Sequence, residues 1–175
     1  MKETPRPALR AIMAFALALL FVGPALAQAL PPAIHVGMSS DELQAAGLDL
    51  RRVSRPERMA NGARGLWQQT AQPGDDGLVF DITYFVRGAS VDRIDLQLAA
   101  APDGPMAAYE RIVATLRTQL GSELRSKESV GNSLSETASW AAKDQDVAAY
   151  LSGARDAEKV RIVYKRRELK DASTL

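Results

Sequence analysis

The sequence predicts an α+β domain, an antiparallel sheet with helices on one face. Two segments place apolar residues at helical spacing between helix-start and helix-stop residues. Six short segments read as strands, the clearest alternating apolar and polar residues along their length. After residue 27 no apolar run approaches the length that spans a bilayer.

Lys2, Arg6 and Arg10 form a positive region ahead of the apolar run Ala11 to Val22. Gly23-Pro24 breaks the run, and Ala25-Leu26-Ala27 supplies small residues two apart. This order predicts a secretory signal over residues 1–27, cleaved near Ala27. As a helix the run reaches about 18 Å, short of the roughly 30 Å of a hydrocarbon core. The expected destination is the periplasm or the outside of a bacterial cell, with no membrane span in the mature form. Residues 28–166 then form a single domain and 167–175 a flexible tail.

The first predicted helix begins at Ser39-Ser40-Asp41-Glu42, a capping box, and stops at Gly47. Residues 51–64 differ in composition: Arg51, Arg52, Arg55, Arg58 and Arg64 face only Glu57, and Pro56, Asn61 and Gly62 predict a loop. Three strands follow, Leu66 to Ala71, Leu78 to Val86 and Val91 to Leu98. Pro73 to Gly77 and Gly88-Ala89-Ser90 are their turns. The second helix starts at Asp103-Gly104-Pro105, with Asp103 as cap. Its stripe is Tyr109, Ile112, Val113, Leu116 and Leu120, and Gly121 ends it. Three more strands are expected at Glu136 to Ala142, Val147 to Ser152 and Lys159 to Arg166. The order helix, three strands, helix, three strands reads as a tandem αβββ-αβββ repeat with half-repeats 37–98 and 103–166.

Composition narrows the function. The whole chain carries a net charge of +1, from 22 Lys+Arg against 21 Asp+Glu. Removing residues 1–27 leaves a nearly neutral protein, which argues against a generally basic nucleic-acid binder. The absence of cysteine excludes a disulfide scaffold, a thiolate metal site and a cysteine nucleophile. His35 is the only imidazole, and Ser39, Ser40 and Asp41 beside it are better used as helix caps than as a triad. Asp75-Asp76 and Asp144-Gln145-Asp146 lack the spaced oxygen ligands of a calcium loop. No metal, cofactor or catalytic residue is assigned.

The run Gly37-Met38-Ser39-Ser40-Asp41-Glu42-Leu43, closed by Gly47, resembles the Gly-Met-(Ser/Thr)-x-x-(Glu/Gln) helix start of the SmpA/OmlA family, outer-membrane lipoproteins of the β-barrel assembly machinery. The twofold helix-plus-strands order is similar to the tandem module of the β-lactamase-inhibitor-protein fold. The chain departs from the lipoprotein family in having no cysteine to lipidate. What the resemblance implies is a class, an exported non-enzymatic domain that binds proteins.

The binding candidates are the arginine segment and the sheet face turned away from the helices. Guanidinium groups suit carboxylate and phosphate contacts, so Arg51, Arg52, Arg55, Arg58 and Arg64 read as a steering patch. Phe85, Tyr150 and Arg93 fall on the off-core stripes of their strands, the first two as exposed aromatic anchors. Arg93 is placed to pair with Asp81 across strands. The expected partner is a protein or another envelope component, and an open sheet leaves edges through which a homodimer could form. Two alternatives stand beside this reading: a hydrolase using Asp81 and Asp95, and a small-ligand carrier with Tyr109 in its pocket wall.

Overall fold

The computed structural model describes residues 34–154 and 157–167. The signal-peptide assignment at 1–27, and the tail from residue 168 onward, lie outside the described residues.

The elements run α1 (Ser40–Ala45), β1 (Arg51–Arg52), β2 (Arg64–Ala71), β3 (Val79–Arg87), β4 (Ser90–Ala100), α2 (Gly104–Leu120), β5 (Leu124–Val130), β6 (Ser133–Ala142), β7 (Gln145–Ala154) and β8 (Lys159–Arg166). All eight strands join one antiparallel sheet in the order β1-β2-β3-β4-β8-β7-β6-β5. The balance differs from the α+β expectation. The sheet dominates, and one of the two helices has only six residues.

Each group of strands is a meander, and the two groups meet through their last members. β4 pairs with β8, setting Ile94 opposite Tyr164 and Leu96 opposite Ile162. The tight turns sit where glycine or short polar residues permit them. Arg87 pairs with Ser90 around Gly88, which has φ +62°.

α1 starts as its sequence dictates. The Ser39 hydroxyl accepts from the Glu42 amide at 3.1 Å, and the Glu42 carboxylate accepts from the Ser39 amide at 2.7 Å. These bonds hold the Glu42 carboxyl below its ordinary range. Leu43 is the residue that α1 buries. α2 buries Ala108, Tyr109, Ile112, Val113 and Leu116. Their partners on the sheet include Val147, Ala149, Leu151, Val160 and Ile162, and α1 adds Leu43 to the same cluster. α2 ends at Gly121 (φ +88°), whose carbonyl accepts from the Trp140 indole at 2.9 Å. Asp103 is not the expected side-chain cap of α2. It makes no cap bond and lies 3.6 Å from Arg111.

Each group contains four strands where three were expected. β1 is two arginines long and falls within the segment expected to be a loop. β5 reads Leu-Arg-Ser-Lys-Glu-Ser-Val and is exposed at every position. A strand that buries neither face has no reason to alternate, so the period-two signal is absent.

Candidate binding face

Alternation along the strands gives the sheet a second face, turned away from the core. Register places on it Gln68 and Thr70 of β2, Asp81, Thr83 and Phe85 of β3, and Arg93, Asp95 and Gln97 of β4. Arg161, Val163 and Lys165 of β8 continue it, followed by Ala148 and Tyr150 of β7 and by Thr137 and Ser139 of β6. Beyond the seam the floor is built of small and hydroxyl side chains. On the β2 side polar ladders cross it: Thr70 donates to Asp81 at 2.7 Å, and Gln68 to Thr83 at 3.1 Å.

The centre of this face is the β4–β8 seam. Asp95 is only 8 % exposed, so its charge needs strong partners. Arg93 supplies a two-bond clasp, Nε to Oδ1 at 2.5 Å and Nη2 to Oδ2 at 3.1 Å. Arg161 donates to Oδ2 from the adjacent strand. Beside this trio lies a depression of about 380 Å³. Arg93, Lys159, Arg161 and Tyr150 line it, with Ser135 and Ser152 among the small residues around them. A second depression of about 350 Å³ borders the first at Arg93, between Lys165 and the segment bearing Met59 and Asn61. Asn61 is tied to the sheet by its side-chain amide, which donates to Asp92 at 2.9 Å.

The residues expected to bind do not form one patch. β1 turns its two arginines to opposite faces: Arg51 lies across from Gln68 on the open face, Arg52 across from Trp67 on the helix side. The Arg52 guanidinium sits 5.5 Å from the Trp67 ring centre. Arg55, Arg58 and Arg64 are exposed, with Arg58 bridged to Arg64 at the start of β2. Arg93 and Tyr150 do come together, on one groove.

Phe85 corrects an expectation. It is on the open face, but it is 2 % exposed and so is no surface anchor. Its ring lies against Gly65, where a Cβ would approach it to 3.3 Å, and the Arg93 guanidinium sits 5.8 Å from its centre. Phe85 is therefore the apolar floor that seats Arg93. Arg93 in turn pairs with Asp95, two residues on in its own strand, rather than with Asp81. Sequence reasoning also missed Lys159 and Arg161 as groove residues. Their alternation along β8 was visible, but the neighbour of β8 was not.

Asp81 lies opposite Gln97 and Asp95 opposite Thr83, so the two carboxylates are diagonal neighbours. Both carboxylates of Asp81 and Asp95 are engaged, by Thr70 and by the two arginines. His35 is far along the chain on the approach to α1 and is exposed. Among the described residues no three His, Asp or Glu side chains are grouped to hold a metal ion. Tyr109, the proposed wall of a ligand pocket, is fully buried in the core, and burial, aided by the charge of Glu136, pushes its hydroxyl up to about 12. The described residues contain no helix long and apolar enough to cross a membrane.

Comparisons with protein-family models, with curated proteins and with solved structures find no match for this chain.

Proposed function

We propose that this chain is an exported, non-enzymatic binding protein that receives an acidic protein partner on the open face of its sheet. The observation that carries the reading is the seam groove. Three cationic side chains, Arg93, Lys159 and Arg161, converge there beside the exposed ring of Tyr150, over a floor of serines. Guanidinium and ammonium groups steer a carboxylate-rich surface, and the aromatic ring supplies the contact area that fixes it. The charged n-region, apolar run and small-residue cleavage site support release into the periplasm or medium. The order of elements, a helix and its strands twice over with the closing strands side by side, supports a tandem of two modules.

The test is capture from envelope extract at low and high salt, with Lys159→Glu and Tyr150→Ala beside the native protein. Both side chains are exposed, so melting temperatures should match the native value. One partner retained at low salt, released at high salt and lost with both variants is expected. A partner held equally by all three proteins at both salts would refute the placement on this face.

A further inference from the structure

The two edges of the sheet are unlike. β1, at one end, offers two residues; β5, at the other, offers seven with no strand beyond it among the described residues. An unpaired edge of that length is a template for another strand. β5 also carries two of the most exposed large apolar side chains, Leu124 at 80 % and Val130 at 78 %. Both project from the open face, one at each end of the strand.

Those positions are complementary to each other in one arrangement. When β5 runs antiparallel to a second β5 about Lys127, all seven residues pair and Leu124 of each copy meets Val130 of the other. Arg125 then faces Ser129, and Ser126 faces Glu128. The two Lys127 side chains meet at the centre, where each is neutralised by its own Glu136 at 3.2 Å on the side away from the axis, so their mutual repulsion is offset. Moving the axis to Ser126 sets Arg125 against Lys127. Moving it to Glu128 sets two carboxylates directly opposite. Like charges across strands disfavour both.

We propose that β5 is a self-association edge, through which two copies of this chain join in a continuous antiparallel sheet with Leu124 against Val130. The twofold axis stands perpendicular to the sheet, so both open faces look the same way. The contact is one strand pair, smaller than a permanent interface, and the dimer is weak and concentration-dependent.

Sedimentation equilibrium over a wide concentration range tests this with two double variants. Leu124→Lys with Val130→Lys places like charges at both ends of the pairing and should raise the dimer dissociation constant about tenfold or more. Leu124→Lys with Val130→Glu places opposite charges in contact across the axis and should restore the dimer, now weakened by salt. Both positions face solvent, so unchanged melting curves will show that the fold is intact. A native protein that stays monomeric at every concentration overturns the proposal. So does a dimer indifferent to the double lysine, or one that the lysine–glutamate variant fails to restore.

Discussion

The same strands make two surfaces with opposite requirements. In β8, Val160, Ile162 and Tyr164 are buried under α2 while Lys159, Arg161 and Lys165 are exposed on the other side. The covered face is held by volume, with aromatic and aliphatic side chains filling the space beneath the helices. The open face is held by matched polar pairs, so its residues are replaceable as long as their partners are satisfied. That contrast separates packing by volume from pairing by charge and hydrogen bond within a single sheet.

Three changes sharpen the contrast, in falling order of effect. Leu116→Ala on α2 empties a site that is 1 % exposed and should cost about 2–5 kcal/mol in urea unfolding. Asp95→Ala on the open face strips two arginines of their acceptor. Arg93 and Arg161 retain side-chain exposures of 20 % and 44 %, so water can replace the carboxylate and the cost should be about 1–3 kcal/mol. Equal losses for the two variants would erase the distinction between the faces. The third concerns the clasp between α2 and β5. Arg117 chiefly, with help from Arg125, holds the Glu123 carboxyl down from 4.5 to about 2. A carboxyl so lowered stabilises the fold fully above its unfolded value and loses that contribution as pH falls through the folded one. Amide protection in β5, taken relative to the intrinsic exchange rate at each pH, should therefore fall between about pH 4.5 and 2, and Glu123→Gln should flatten that dependence.

Local chemistry was legible where a residue's role depends on its chain neighbours. The capping box of α1, the stripe of α2 and the β8 strand were all readable from spacing. The span of β8 needed no revision, whereas β3 and β4 shifted by one or two residues at their ends. β1 and β5 were not readable, because neither buries a face. The groove was half readable. Arg93 and Tyr150 stood out on their strands, but Lys159 and Arg161 join them only through the β4–β8 pairing, a long-range contact with no local signal. Phe85 misled for a related reason: an off-core position is exposed only if nothing crosses it, and Gly65 and Arg93 come from other strands.

The central pairing also sets a timetable for folding. β4 finds its neighbour only when β8, the last strand among the described residues, is present, and Ile94 must then meet Tyr164 across the whole of the intervening chain. Contacts of such wide separation carry a high loop-closure cost and make folding slow. A nascent chain that has not yet added β8 carries an apolar β4 edge without the strand that pairs with it.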